Sequence, residues 1–326
     1  MNILEPELLI IAPEEHPDVV QVLHYLQENN CNTRYYIWDI AFFPRQFSCS
    51  LTIKNQGNNI FLSNKEQTEC LCLDKVKTVW WCEPKVMQMD PDINSLQEKM
   101  FAYRSCSQFI DGLSYVLDCL WVNQPDRQDI ARNPIYQYQA AKLVDLKILE
   151  TLVTNNSDAV LAFLEKHGDL FFRPLVPFHT LQHELPKDFF NEIENLYLAP
   201  CLFQQSISTQ RMLTSLVIGN HISTAQMYWK NEQYEYVPCE TPTEIENPLY
   251  SLAKLMGLIY FRTYFIVDFK ENCYFLSLDS SPSLLTVNDY VNSCTDIFTR
   301  LLCRGKAGQS QSYWPNLSRS VLYNKS

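Results

Sequence analysis

The stretch MGLIYFRTYFIVDFKENCYFLSLDSSPS, Met256 to Ser283, holds two apolar runs of strand length around a polar turn. Tyr260 to Val267 is the first run, Cys273 to Leu278 the second, and Glu271-Asn272 lies between them. Aromatic and β-branched residues around a short turn predict an antiparallel strand pair. The second run, CYFLSLDSSPS, leaves its strand through Ser277, Leu278 and Asp279 into a turn at Ser280-Ser281-Pro282. Such strand-to-loop junctions often carry ligands. The question is whether this end is a metal site with its donors intact or one that has lost them.

Upstream, Leu8-Leu9-Ile10-Ile11 is a continuous apolar run, and Pro17 opens a helix with Val19, Val20, Leu23 and Leu26 at helical spacing, ended by Asn29-Asn30. Tyr35 to Asp39 and Thr78-Val79-Trp80-Trp81 read as further strands, and Leu51 to Leu62 as a hairpin about Gly57. A long helix runs from beyond Asp90-Pro91 towards Leu120, with Phe101, Phe109, Leu113, Val116 and Leu117 on its apolar side. Strands alternating with helices make an open α/β lobe. Pro125 to Asn133 is polar and reads as a linker, followed by a helix through Tyr136 to Val144. Leu152-Val153 is a short strand, and Thr154 or Asn155 is placed to cap a helix that turns Val160, Phe163 and Leu164 inward. Leu170 to Pro174, Leu202 to Gln204, Ser215 to Ile218 and Thr224 to Trp229 read as strands, and Leu252 to Met256 as helix. The expected fold class is α/β and α+β, in three parts: residues 1–123, 124–200 and 201–326. No internal repeat is found.

With 46% hydrophobic residues in 326, the chain can build a substantial core. Its net charge of −11, without a basic stripe, argues against nucleic acid and anionic membranes as partners. Only 7 glycines are present, and neither GxGxxG nor a P-loop pattern occurs, so a glycine-rich phosphate cradle is not expected. The start, Met1 to Glu7, has no basic and apolar signal pattern, and the apolar runs are too short for a bilayer. The 12 cysteines are therefore expected to be reduced thiols of a cytoplasmic protein. Cys70 and Cys72 are the one close pair, without CxxC spacing or a second pair, which is a poor zinc signature. His179 and His183 stand at i, i+4, but the glutamate of HExxH is missing and Pro177 and Pro186 flank them, so two surface histidines are expected. No GxSxG elbow occurs, and Cys49, Cys82 and Cys106 have no histidine close in sequence.

Several stretches together carry a resemblance. WVNQP (Trp121–Pro125), NPIYQYQAAKLVDLKILETLVTNN (Asn133–Asn156), FFRPL (Phe171–Leu175), APCLFQQSI (Ala199–Ile207), SLVIGNHIS (Ser215–Ser223) and the Met256–Ser281 segment fall in one order. So do HPDVVQVLHYLQENNCNTRYYIWD near the start and VKTVWWCEP after it. This set resembles the ATP-grasp ligases that crosslink ribosomal peptides, the microviridin-type macrocyclases or graspetide synthetases, over nearly the whole chain. The resemblance implies an N-terminal α/β lobe, a central α+β subdomain and a C-terminal antiparallel sheet with helices. It implies ATP and magnesium as cofactors, phosphorylation of a side-chain carboxylate, and attack on the acyl phosphate by a hydroxyl or amine of a precursor peptide. A homodimer is also implied.

The same alignment shows departures. Where the family places a carboxylate on one C-terminal strand, Tyr264 stands here. Its Glu-x-Asn pair on the next strand becomes Ser277 and Asp279. The ATP-contacting lysine before Pro-Leu is Arg173, which keeps the charge in a forked, larger group. After the hinge Gln204 the family's glutamate is Gln205. An arginine before the turn glycine becomes Thr214, with Arg211 three residues upstream. The paired arginines expected after Trp81 are Cys82 and Glu83, so peptide-facing cations are replaced by a thiol and an anion. Asp268 ends its strand and reads as a hairpin-turn residue. Magnesium requires near-octahedral oxygen coordination, and a hydroxyl with one carboxylate supplies little of it.

Three readings follow. The chain is a degenerate, non-catalytic member that binds a precursor peptide or a catalytic ATP-grasp paralogue, with no cofactor and a homodimer or heteromer as its assembly. Alternatively it is an active ligase with ATP and magnesium held by rearranged residues, Arg173, Asp279 and Asp268. The third reading gives the cleft between lobes to a small ligand without metal.

Overall fold

The computed structural model describes residues 2–66, 68–175, 183–184, 193–230, 233–284 and 288–308. In the N-terminal part, β1 (Asn2–Leu4), β2 (Leu8–Ile11), α1 (Pro17–Glu28) and β3 (Tyr35–Trp38) lead into β4 (Phe47–Ile53), β5 (Asn58–Asn64) and β6 (Glu69–Cys72). Then come β7 (Thr78–Trp81), α2 (Leu96–Val116) and β8 (Leu120–Val122). β3-β2-β7-β8 form a wholly parallel sheet, and β1-β6-β5-β4 a second sheet of four strands. The unbroken apolar run of β2 is explained by burial on both faces. Leu8 and Ile10 pack with α1, while Leu9 and Ile11 face the second sheet and α2. Helix α2 is shorter than expected, and Phe101 on its first turns is exposed rather than inward. Only the later turns, through Ile110 and Leu113, reach the core.

The polar segment expected as a linker is helix α3 (Pro125–Ala131). Pro125 occupies its first turn, where no amide donor is needed. Seven residues are too few for an apolar period to show, which is why composition misled. Asn133 then caps α4 (Pro134–Leu143), accepting from the amides of Ile135 at 2.9 Å and Tyr136 at 3.2 Å. β9 (Lys147–Ile148) and β10 (Thr151–Thr154) follow, then α5 (Ser157–His167), capped by Asn156 rather than by Thr154 or Asn155.

β11 (Leu170–Pro174), β12 (His183–Glu184) and β13 (Cys201–Gln205) complete a sheet of order β10-β13-β11-β12. His179 lies outside the described residues, and His183 sits in a strand pairing with Phe172, not in a helix. The last part contains β14 (Thr209–Ile218), β15 (His221–Lys230), β16 (Gln233–Cys239), α6 (Thr243–Met256), β17 (Tyr260–Asp268), β18 (Cys273–Asp279) and α7 (Asn288–Arg304). Its sheet runs β16-β15-β14-β17-β18-β9, antiparallel except for β9. One face packs on α4 and α6 through Tyr138, Ala141, Leu249, Leu252, Phe261 and Phe265. Sheets and sequence thirds do not coincide: residues 201–205 lie inside the central sheet, β9 and α4 join the large one, and α7 packs back on α1 and β7. Among the described residues no helix is long and apolar enough to cross a membrane.

Asn123 joins these parts. It is 3% exposed, at the end of β8. Its Nδ2 donates to the carbonyls of Tyr260 (2.6 Å) and Ser280 (3.0 Å), and its Oδ1 accepts from the amides of Ile259 (2.8 Å) and Tyr260 (3.1 Å). One side chain thereby ties the N-terminal sheet to the start of β17 and the exit of β18. Asn123→Ala would strand buried backbone groups, so a loss of about 3 kcal/mol is expected in urea unfolding. A midpoint equal to the parent's would show that the junction is held by other contacts.

Candidate functional site

The register of three strands assembles the positions singled out by the sequence. Thr214 on β14 faces Tyr264 on β17, and Tyr264 faces Ser277 on β18. Two residues along, Arg262 faces Asp279. Residues opposite one another share a face of the sheet, so Thr214, Tyr264, Ser277, Arg262 and Asp279 lie on the face opposite to the α4–α6 core. A β-bulge between Tyr264 and Phe265 leaves Leu276 as the extra residue of β18. The strand end is held from behind by α4. Gln137 donates to the carbonyl of Leu278 (2.7 Å) and accepts from its amide (3.0 Å), and Tyr138 Oη donates to the carbonyl of Leu276 (2.8 Å).

The groups at this end are an unusual donor set for a divalent ion. Burial pushes the Tyr264 hydroxyl up to about 12, against the opposing pull of Arg262, so it is neutral at physiological pH. Ser277 is neutral as well. Burial raises the Asp279 carboxyl above its ordinary value, and the Ser281 amide (2.9 Å) and Arg262 only partly offset this. Arg262 itself is 2% exposed, and its Nη2 donates to the carbonyl of Ser283 at 3.0 Å. Burial disfavours its charge, yet Tyr264, Tyr260, Tyr236 and Asp279 together keep it firmly cationic. A fixed guanidinium facing one carboxylate is not the anionic cluster that a cation site requires. No group of three or more His, Cys, Asp or Glu that could hold a metal occurs among the described residues.

Across from this face, the central sheet presents Arg173 and Gln204. Arg173 Nη2 donates to Tyr138 Oη at 3.2 Å, and its guanidinium carbon lies 5.7 Å from the Tyr138 ring centre. Gln204 Nε2 donates to the same hydroxyl (3.2 Å) and to Thr151 Oγ1 (2.9 Å). Gln205 is held by its amide on the carbonyl of Glu150 at 3.0 Å. Between the sheets lie Leu149, Ile266 and Leu276, with Phe171, Ile207, Met212, Tyr264 and Tyr274 packed against them. Thr214 is buried, and its hydroxyl donates to the carbonyl of Thr263 at 3.1 Å.

Asp268 is not brought to this end. It accepts from the amides of Lys270 (2.8 Å) and Asn272 (2.9 Å) and from Asn272 Nδ2 (2.9 Å), the hydrogen bond from Asn272 holding its carboxyl below the ordinary range. That is the hairpin role expected of it, about 20 Å along the strand from Arg262. Arg211 is also there, paired with Glu271.

The remaining candidates, Trp81, Cys82 and Glu83, line a cavity of about 170 Å³ with His16, Asp18 and Ser280–Ser283. His16 Nδ1 lies 3.6 Å from Cys82 Sγ, and its Nε2 3.6 Å from Glu83 Oε2. Burial pushes the Cys82 thiol well above its ordinary range, so it stays protonated and is no poised nucleophile. Local sequence pattern cannot reveal this pair, because 66 residues separate its members. Arg262 is a functional-site residue whose signal in the sequence is a single charge inside the apolar run Tyr260–Val267.

The tyrosine at the strand end yields a measurable consequence. A hydroxyl raised from 10.0 to about 12 contributes stability that is complete below pH 10 and is lost as pH rises towards 12. Tyr264→Phe is therefore expected to show a shallower alkaline loss of stability than the parent, read from denaturant midpoints across that window. Identical slopes would mean that Tyr264 is solvated.

No protein-family model and no curated protein matches the chain. Solved structures do. Macrocyclase MdnC from Microcystis aeruginosa, bound with precursor peptide MdnA, superposes with a TM-score of 0.77 at 21% identity, covering 93% of this chain and 99% of that one. A RiPP-associated ATP-grasp ligase from Chryseobacterium gregarium, in complex with ADP and a leader and core peptide, gives 0.76 at 18% identity, covering 93% and 97%. The ATP-grasp ligase PsnB, complexed with minimal precursor, magnesium and ADP, gives 0.74 at 18%, covering 93% and 99%. The chain has the fold of the ATP-grasp ligases that act on ribosomal peptides, from its parallel N-terminal sheet to its large antiparallel one.

Proposed function

We propose that this chain is a non-catalytic counterpart of the peptide-crosslinking ATP-grasp ligases, which keeps their fold to bind a ribosomal precursor peptide. The observation that carries the reading is the facing pair Tyr264–Ser277, two neutral hydroxyls where the resemblance implies two carboxylates. Magnesium takes near-octahedral oxygen ligands and gives up water reluctantly. Here it would find Asp279 with a raised pKa and Arg262 opposite it. A divalent cation at Asp279 would also meet the fixed positive charge of Arg262 on the facing strand. The residues present therefore do not fit magnesium. The cation of Arg173, at the position implied for phosphate contact, is engaged by Tyr138. No step through an acyl phosphate is derived for this chain.

Peptide binding is supported by the extent of the fold match and by MdnC, PsnB and the Chryseobacterium ligase having been solved with their peptides. A second chain, either another copy or a catalytic ATP-grasp paralogue that supplies the chemistry, completes the proposal. No cofactor is required of this chain, and the cytoplasm, where the precursor is made, is its proposed location.

The test is incubation of the purified chain with ATP, magnesium and either MdnA or a displayed peptide library. Retained peptides without phosphate release or peptide dehydration are expected. Peptide-stimulated phosphate release would overturn the non-catalytic reading in favour of a ligase using Arg173 and Asp279. Failure to retain any peptide would overturn peptide binding.

A further inference from the structure

The cavity at the end of β7 and the start of α1 has a chemistry of its own, separate from the strand end at Ser277 and Asp279. Its walls combine aromatic side chains, Trp81 and Tyr260 among them, with the carboxylates of Asp18 and Glu83. Asp18 is 3% exposed and accepts from Ser283 Oγ at 2.8 Å. No lysine or arginine is among the described residues that line the cavity, and His16 is the one lining side chain able to gain a positive charge. Arg262 approaches from the sheet but spends Nη2 on the carbonyl of Ser283. A concave site with low-dielectric walls and charges of one sign concentrates the opposite sign.

A second observation points the same way. Gln128, another lining residue, is 1% exposed, and its Oε1 has no hydrogen-bond partner among the described residues. Buried acceptors are rarely left unpaired, and one that is calls for a donor. Ammonium and guanidinium groups only donate, and they match carboxylates and aromatic faces at once. A volume of about 170 Å³ admits such a group with part of its alkyl stem.

We propose that this cavity binds the ammonium or guanidinium end of a lysine or arginine side chain, with Asp18 and Glu83 as counter-charges and Gln128 Oε1 as an acceptor. It rests on the peptide-binding reading for the source of that side chain. The resemblance implies arginines where Cys82 and Glu83 stand, so the polarity of recognition is inverted: a basic residue is selected and an acidic one rejected. Glu83 is half exposed, so its replacement leaves the core intact.

The experiment titrates acetylated, amidated Gly-Lys-Gly, Gly-Arg-Gly, Gly-Glu-Gly and Gly-norleucine-Gly into the nitrogen-15-labelled full chain, following the indole signals of Trp80 and Trp81. Saturable shifts are expected with the lysine and arginine peptides only, weakened about five-fold by Glu83→Gln and also by Gln128→Met. Equal response to lysine and norleucine, or lysine binding unaffected by Glu83→Gln, would overturn the proposal. The two readings fail separately. A precursor peptide held equally well by the parent and by Glu83→Arg removes this cavity from recognition while peptide binding stands. Tripeptide binding without any precursor binding leaves the cavity standing and removes the functional reading.

Discussion

Asn123 is the constraint on which the arrangement of lobes depends. Its amide satisfies four backbone groups from the start of β17 and the exit of β18, all within a junction closed to water. An apolar residue there would leave donors and acceptors of two strands unpaired, and a charged one would lack half of the required polarity. Gln137 repeats the device from α4, bonding both the amide and the carbonyl of Leu278. The strand end from Ser277 to Asp279 is thereby fixed from two sides before any ligand is considered. The fold can persist when the chemistry at that end changes, because amides of the scaffold rather than a bound metal hold it in place.

The electrostatics of one face decide what this strand end can hold. With Tyr264 and Ser277 neutral, the two charges left are Asp279 and Arg262, facing each other across the strands. Such a pair is internally compensated, which removes the excess negative potential that draws a divalent cation. Thr214, Tyr264 and Ser277 belong to three strands, and the register sets them side by side. The contiguity matters: positions scattered in sequence become one surface in space. The nearby cavity differs in sign, with carboxylates and an unpaired amide oxygen but no lysine or arginine in its described wall.

Much of this was legible before the structure. The apolar run of β2, the hairpin of β17 and β18, and the pairing of Tyr264 with the Ser277 strand follow from local pattern, because sheets impose a period of two and short turns fix register. Short or polar-faced elements were not legible. Helix α3 offers only Pro125 as a signal, and the alternation of Tyr234 to Cys239 in β16 is too weak to mark a strand. The exposure of Phe101 reflects which turns of α2 meet the second sheet, a tertiary fact that periodicity cannot supply. At the site, the resemblance set Tyr264 and Ser277 where it implies carboxylates. It could not show that Arg262 stands opposite Asp279, that Tyr138 engages Arg173, or that His16 and Asp18 share a cavity with Cys82 and Glu83. Those relations depend on contacts between distant segments.

The central claim, that the strand end at Ser277 and Asp279 no longer holds a metal–nucleotide complex, is tested most directly by isothermal titration of ATP and ADP into the purified chain with and without magnesium. The account requires that magnesium bring no gain in nucleotide affinity, with no saturable heat even at millimolar nucleotide. Magnesium-dependent binding in the micromolar range would contradict it and would mean that Asp279 and Arg173 have been built into a working site.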